Sequence, residues 1–267
     1  MTVSVVCLAY NHAPYIRDAL EGFVSQQTSF PFEVLVHDDA STDGTADIIR
    51  EYAARYPSVI RPVFQEKNRY SEGVAIAREY LFPLIRGRYV ALCEGDDYWT
   101  DPHKLQKQVD ALEAHPEVDI CAHLAQKRKN GKPDGYEGPG RRGRIYPASR
   151  VIWGGGGFVA TCSLLCRREA YLADTPMRRL LFYDYTLQIQ GSLRGGMLYL
   201  PDCMAVYRRG VPGSWSSWHE GPDKTSHHPA FKRMLAALDT YTQGRWHRVI
   251  RLRIFRYDAH DFLRKLL

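Results

Sequence analysis

Long apolar runs are missing from this chain of 267 residues. No stretch approaches the roughly 18 apolar residues that a transmembrane helix needs. Met1 and Thr2 lead directly into a strand-like segment, without the basic region that opens a secretory signal. With 45% apolar and 25% charged residues, the composition is that of an ordinary soluble globular protein. We therefore expect a cytoplasmic protein with no membrane-spanning segment.

Paired cysteine motifs are missing as well. None of the six cysteines forms a CxxC pair or has His and Cys partners at zinc-finger spacing, so we expect reduced, buried thiols. The four glycines at 154–157 lack the Gly-Lys-Ser/Thr ending of a P-loop, which excludes a triphosphate cradle of that type. The cysteines are Cys7, Cys93, Cys121, Cys162, Cys166 and Cys203.

Strand-like and helix-like segments alternate through the first 125 residues. Apolar runs at 3–9, 32–36, 59–64 and 89–93 have the character of buried strands. Helical spacing follows them at 13–27, after Asp43, at Ile76, Tyr80 and Leu81 after the segment 68–73, and at 102–115. This alternation predicts an α/β fold with a doubly wound, mostly parallel sheet and helices on both faces.

The second half of the chain changes character. Residues 126–144 are polar and basic, and the pattern fits either a solvated hairpin or a loop for an anionic acceptor. We predict strands at 160–166, 197–201 and 203–207, a helix opening near Asp184, and a lid over bound substrate at 210–229 that carries Trp215 and Trp218.

Two helices are predicted in the tail. The second is basic and amphipathic, and two interpretations stay open. It either lies on an anionic membrane surface or packs on the sheet with an arginine-rich solvent face. The net charge of +6 favours anionic partners without naming them.

Carboxylates collect where predicted strands end. Asp38 and Asp39 follow the second strand, and Glu94, Asp96 and Asp97 follow the fourth. Loops at the carboxyl ends of parallel strands form the ligand crevice of open α/β sheets. Grouped carboxylates repel one another, and Mg²⁺ is commonly held by such acids together with substrate phosphates. A metal site and a solvated acidic turn are the two interpretations.

Four spaced segments, at 3–11, 38–45, 68–78 and 94–105, occur together in one order. This set resembles the inverting glycosyltransferases of family two, which use the Rossmann-like GT-A fold. The resemblance implies a cytoplasmic enzyme of polysaccharide biosynthesis, of the hexosyl- or N-acetylhexosaminyltransferase class. A noncatalytic nucleotide-sugar or glycan-binding protein on the same fold is the alternative.

The resemblance also implies a donor site. Ala9, Tyr10 and Asp39 would border the base and ribose, and Asp96 the ribose. Asp39 would accept a hydrogen bond from an imide N–H, which favours a UDP-sugar or a dTDP-sugar. Arg78 would support the nucleotide pocket, with a helix-face salt bridge as the alternative.

The same resemblance implies a metal site and a general base. Asp97 takes the place of a metal ligand in the family's DxD-type motif, with His219 as a second candidate and Mn²⁺ or Mg²⁺ as the ion. The role of Glu94 stays open. Asp184 corresponds to the general base, which takes the proton of the attacking acceptor hydroxyl and gives inversion without a covalent intermediate.

The domain prediction divides the chain in three. Residues 1–228 form the GT-A domain, with a nucleotide-sugar half at 1–125 and an acceptor half at 126–228, and 229–267 form a C-terminal helical extension. Thr242 replaces the Gln of the QxxRW motif that processive relatives carry, so we expect transfer of a single sugar. The expected acceptor is a glycan or lipid-linked glycan, at the inner face of a membrane and without nucleic acid.

Overall fold

A computed structural model describes residues 1–212, 214, 217 and 227–266 of the chain. His219 and the tryptophans of the predicted lid, Trp215 and Trp218, lie outside the described residues. The division into domains at 125 and 228 stays a prediction.

Parallel strands build the first half of the sheet, as the alternating pattern predicts. Its elements are β1 Val3–Ala9, α1 Ile16–Val24, β2 Phe32–Asp38, α2 Thr45–Arg55, β3 Ile60–Phe64 and β4 Tyr89–Leu92. In space the strands run in the order β3-β2-β1-β4, each parallel to its neighbours. Their carboxyl ends therefore meet at one edge.

Mixed pairing builds the second half. Its elements are β5 Tyr98–Trp99, α3 Lys104–Ala114, β6 Ile120–Lys129, β7 Lys132–Glu137, β8 Arg144–Tyr146, α4 Ala148–Gly154, β9 Leu165–Arg167, α5 Arg168–Leu172, α6 Pro176–Leu180, α7 Asp184–Ser192 and β10 Met197–Arg209. The order continues β4-β9-β6-β10-β5, where β10 is parallel to β6 and the other pairs are antiparallel. Residues 126–137 form the hairpin β6–β7.

Three local predictions differ from the structure. The helix predicted with Ile76, Tyr80 and Leu81 is a single π-helical turn at Ala77–Leu81. The segment that leads into it contains a 3₁₀ turn at Tyr70–Glu72, which ends at Gly73 with a φ of 81° in the left-handed region. The strand predicted from residue 160 begins only at Leu165. The two strands predicted beyond 197 are one, β10, with register irregularities between Leu200 and Ala205.

Helices cover both faces of the sheet, as predicted. Alternate residues of β1 point to opposite sides: Val5 packs with α1 in one buried cluster and Val6 in the other. The tail forms the two predicted helices, α8 His228–Tyr241 and α9 His247–Leu266, whose buried residues join the second cluster. None of the helices in the described ranges is long and apolar enough to cross a bilayer.

A buried acid on β2 fixes the amino-terminal edge of the sheet. The Glu33 side chain has no exposed surface and accepts hydrogen bonds from Ser4 Oγ, Arg61 and Arg86 at 2.7 to 2.9 Å. We expect Glu33→Gln to lower the free energy of unfolding by about 2 kcal/mol, less than a fully buried pair because both arginines are partly exposed. Urea unfolding measures this loss.

Glu51→Gln is the matched control, because Glu51 pairs with Arg17 at the surface. Exposed pairs contribute roughly 0 to 1 kcal/mol. Equal losses in the two variants would contradict the assignment of Glu33 as a structural anchor.

Candidate functional site

Three loops meet at the carboxyl edge of the parallel strands. The Asp39 N–H donates to the carbonyl of Ala9 at 3.0 Å, and the Gly95 N–H donates to the carbonyl of Leu8 at 2.9 Å. A Cβ at Gly95 would lie 2.9 Å from His12 Nδ1, so only glycine lets the acidic turn lie this close to the β1 loop. The loops that carry Ala9, Asp39 and the acidic turn are thus held side by side.

Asp39 holds the next loop over the sheet edge. Its side chain is buried, and its two carboxylate oxygens each accept a backbone N–H, from Arg69 and Tyr70, at 2.9 Å. Each oxygen keeps a further lone pair for a ligand. Tyr10, another predicted donor contact, directly follows β1 and is 43% exposed.

Arg208 on β10 holds the acidic turn. Its backbone N–H donates to Asp97 Oδ1 at 2.8 Å, and its guanidinium donates to the Asp96 carbonyl at 2.8 Å. The same guanidinium pairs with Asp18 and stacks on the Tyr98 ring. The guanidinium charge is shared between Asp18 and the turn, where it lowers the pKa of Asp96 but does not outweigh burial.

These carboxylates carry strongly perturbed pKa values. Burial, followed by the charge of Asp96, raises the pKa of Asp97 well above its usual value. Desolvation also raises the pKa of Asp96. The Glu94 side chain reaches solvent, yet desolvation and the charges of Asp96 and Asp184 raise its pKa to about 8. An excess of negative charge in hard oxygen donors fits a divalent cation such as Mg²⁺ or Mn²⁺.

Asp184 opens helix α7 on the other side of the cleft. Thr161 Oγ1 donates to Asp184 Oδ2 at 2.9 Å, and the Tyr185 N–H donates to Oδ1 at 2.6 Å. Burial and then the charge of Glu137 raise the pKa of Asp184. The residue after Thr161 is Cys162, whose carbonyl accepts a hydrogen bond from Trp99 Nε1 at 2.9 Å, so the loop that holds Asp184 lies against the segment that follows the acidic turn. The charge of Asp184 also raises the pKa of Glu94.

Two residues of this cleft were not predicted as site residues. Burial raises the pKa of Tyr207, and the charges of Asp97, Glu94, Asp184 and Glu137 raise it further. Tyr207 directly precedes Arg208 on β10, whose backbone N–H bonds Asp97.

Glu137 reaches the cleft from the end of β7 and pairs with Lys127 at 3.3 Å. A Cβ at Gly157 would lie 3.0 Å from Glu137 Oε1, so the glycine turn leaves room for this carboxylate. Nothing in the local sequence distinguishes Glu137 from the other polar residues of its hairpin.

Arg78 makes its described contacts toward the second half of the chain. Its guanidinium donates to the carbonyl of Arg178 at 3.0 Å and lies 4.7 Å from the centre of the Phe182 ring. It links the turn at Ala77–Leu81 to the segment before Asp184. The described residues show no helix-face salt bridge for it, and its role toward the donor stays a prediction.

A second group of metal-type side chains lies away from the cleft. Donor atoms of His228, His260 and Asp261 lie within 4.8 Å of one another. His228 Nδ1 is hydrogen-bonded to Asp261 at 2.5 Å, and Lys232 Nζ lies 3.7 Å from the same carboxylate. These polar contacts therefore join α8 to α9.

Known proteins share both the sequence and the fold. Residues 4–211 match Glycosyl transferase family 2. An uncharacterized protein of Mycobacterium tuberculosis, Rv1520, is 41% identical over 216 residues, which are 80% of this chain and 61% of that protein. This chain thus spans about three fifths of that relative.

A relative with a named reaction matches over a shorter range. The Escherichia coli UDP-Glc:alpha-D-GlcNAc-diphosphoundecaprenol beta-1,3-glucosyltransferase WfaP is 35% identical over 111 residues, 42% of this chain and 41% of that one.

The crystal structure of S. aureus TarS 1-349 in complex with UDP-GlcNAc superposes with a TM-score of 0.66 at 19% identity, covering 90% of this chain and 67% of that one. This likeness confirms the predicted GT-A fold. With the family match running from the first strand past Arg208, the chain belongs to glycosyl transferase family 2.

Proposed function

We propose that this protein is a metal-dependent, inverting glycosyltransferase that moves one sugar from a UDP-sugar, or a dTDP-sugar, to a hydroxyl of a glycan or lipid-linked glycan. One observation carries the proposal. The acidic turn at 94–97 and Asp184 belong to opposite halves of the chain, yet the loop that holds Asp184 through Thr161 is also bonded, through the carbonyl of Cys162, to Trp99 just beyond the turn. This arrangement supports separate groups for leaving-group stabilisation and for proton removal in one cleft.

The donor half of the proposal uses the carboxyl edge of β1 and β2. Ala9 and Tyr10 border the base, and Asp39 accepts the imide N–H of uracil or thymine while its bonds to Arg69 and Tyr70 keep it oriented. Asp96 faces the ribose, and Arg78 supports the pocket. The names of WfaP and of the TarS complex contain UDP-sugars, which supports this choice.

Asp97 is the proposed ligand for Mn²⁺ or Mg²⁺, with His219 as a second ligand. When bound, the ion neutralises negative charge on the departing nucleotide diphosphate. Arg208 keeps Asp97 Oδ1 fixed through its backbone N–H, which leaves the remaining lone pairs of this carboxylate for the ion.

Asp184 is the proposed general base. Thr161 and the Tyr185 N–H fix the orientation of its carboxylate. It takes the proton of the acceptor hydroxyl while the oxygen attacks the anomeric carbon from the face opposite the nucleotide, which inverts that centre. Burial in the cleft raises the pKa of Asp184, which makes it a stronger base than a solvated aspartate.

The acceptor is a glycan hydroxyl, free or lipid-linked, as the name of WfaP supports. We place the reaction in polysaccharide assembly on the cytoplasmic side of a membrane, without nucleic acid as a partner. The transferred group is a hexose or N-acetylhexosamine, one per encounter.

Release of nucleotide diphosphate from a panel of UDP-, dTDP- and GDP-sugars, with acceptor extracts and Mn²⁺, tests the proposal. We expect acceptor-dependent release from a UDP- or dTDP-sugar. Donor binding by calorimetry with no release from any donor would instead favour a noncatalytic nucleotide-sugar-binding protein.

The pH dependence of kcat tests whether the charge of Glu137 raises the pKa of Asp184. A base must be unprotonated, so kcat should fall as the pH decreases through the raised pKa of Asp184. Glu137→Gln removes a negative charge that raises this pKa, and we expect the acid limb of the kcat profile to move to lower pH. Asp134→Asn, on the same strand but paired with Arg209, is the matched control. An acid limb that stays in place in Glu137→Gln would contradict the coupling.

A further inference from the structure

Helix α9 packs on the domain by one face only. Ile250 and Tyr257 are buried in the second core cluster. Arg253 on the same side donates to the carbonyl of Trp153 at 3.1 Å. These contacts fix which face of the helix points away from the protein.

The outward face carries large apolar side chains among its charged residues. The four most exposed large apolar side chains of the described residues all lie on α9, and at 100° per residue they fall within an arc of about 100°. We call this set the outer stripe: Leu252 at 58% exposure, Phe255 at 69%, Phe262 at 63% and Leu263 at 59%. Isolated exposed apolar residues are normal, but a continuous stripe of this kind marks a contact surface.

Arginines lie within and beside the outer stripe. At 100° per residue, Arg248 falls inside its arc, and Arg251 and Arg256 lie about 20° beyond its two edges. All three are exposed and none forms an ion pair among the described residues, while the Arg256 guanidinium lies 5.4 Å from the centre of the Trp153 ring. The nearby acid Asp258 is paired with Lys232 at 2.7 Å, so it does not offset them. This surface of α9 therefore combines exposed apolar side chains with positive charge that no acid neutralises among the described residues.

This arrangement differs from an ordinary packed helix with an arginine-rich solvent face, because four large apolar side chains share that face with the arginines. It also disfavours a second copy of the chain, since a twofold contact through the outer stripe would bring the arginines of both copies together. An anionic bilayer satisfies both features, with apolar side chains among the acyl chains and arginines at the headgroups.

We propose that α9 is a membrane-docking helix, which inserts Leu252, Phe255, Phe262 and Leu263 into the interface of an anionic bilayer. The docking does not depend on the catalytic proposal. If both hold, the helix keeps the cleft near lipid-linked acceptors.

Co-sedimentation of the full chain with vesicles tests the docking. We expect binding to phosphatidylcholine vesicles that contain phosphatidylglycerol, weak binding to phosphatidylcholine alone, and loss of binding at high salt. The double variant Phe255→Ser and Phe262→Ser should bind at least about tenfold more weakly. Arg248→Gln with Arg251→Gln should weaken binding and reduce its salt dependence.

Leu180→Ser is the matched control, because Leu180 is an exposed apolar residue on α6, away from the outer stripe. It should bind like the unaltered protein, and turnover with a water-soluble acceptor should be unchanged in all of these variants. That readout separates failure of docking from failure of the catalytic proposal.

Absence of binding to anionic vesicles, or full binding by the Phe255→Ser and Phe262→Ser variant, would overturn the docking. The docking would also be overturned if the unaltered protein did not bind vesicles, was a dimer in light scattering, and became a monomer in the Phe255→Ser and Phe262→Ser variant. That result would assign the outer stripe to contact with a second copy of the chain. If the variant melts at a lower temperature, hydrogen exchange on the unaltered protein decides: vesicles should slow exchange in residues 247–263, and unchanged exchange would refute docking.

Discussion

Asp184→Asn is expected to lower kcat by about 10³-fold, within the range that general base catalysis contributes. The amide is nearly isosteric: its oxygen can accept the Tyr185 N–H, and its nitrogen can donate to Thr161 Oγ1 if that hydroxyl turns. The fold and the donor site should therefore be preserved, while the group that receives the proton is lost. Single-turnover kinetics measures the loss, and calorimetry with UDP should show unchanged affinity.

Asp174→Asn is the control for this change. Asp174 lies ten positions earlier, is exposed, and pairs with Arg179. We expect full activity from it. An Asp184→Asn variant with normal turnover would rule out Asp184 as the base, and a loss of UDP binding would point to a structural role.

Chelation of divalent cations is the second large effect. With EDTA we expect turnover to fall at least about 10²-fold, because the diphosphate leaving group would develop charge against uncompensated carboxylates. Asp97→Asn should produce a loss of similar size at ordinary metal concentrations, since its amide can still accept the Arg208 N–H but supplies no charge to the ion. Titration of activity with Mn²⁺ and Mg²⁺ measures both.

Asp18→Asn is the control that distinguishes loss of the metal from displacement of Arg208. It removes the partner of the Arg208 guanidinium and leaves Asp97 intact, so any loss through a displaced Arg208 would appear here too. We expect its metal requirement to match that of the unaltered protein. Full activity in EDTA would refute metal dependence.

Local sequence patterns were sufficient for the strands of the first half of the fold. The runs of β1, β2 and β4 are short, buried and followed by turn residues, so their boundaries are encoded within a few positions. Their parallel order was predicted from the alternation of strands with helices. For the same reason, the acids after β2 and β4 could be predicted to share an edge, and the structure has them there. The helix that opens at Asp184 was also predicted, since an acid in the first turn is a local signal.

Distant contacts explain what the sequence could not predict. Glu137 enters the cleft only because β7 folds back on β6, and no local feature marks it. The contacts of Arg78 with Arg178 and Phe182 join segments 100 residues apart. The continuity of β10 depends on its pairing with β6, which carries it through the irregular register at Leu200 and Cys203.

The bond between Asp97 and the Arg208 N–H joins residues 111 positions apart, and it has a consequence for synthesis of the protein. A ribosome releases Asp97 long before Arg208, so the acidic turn emerges without the strand that holds it. The strands β1, β2 and β3 can associate first, because Val3 pairs with Phe32 and Val34 with Ile60, whereas β4 pairs with β1 across a much longer stretch of chain, Val3 with Tyr89. The cleft is then assembled only when β10 inserts between β6 and β5, and a nascent chain ending before residue 197 exposes its acids without their donor.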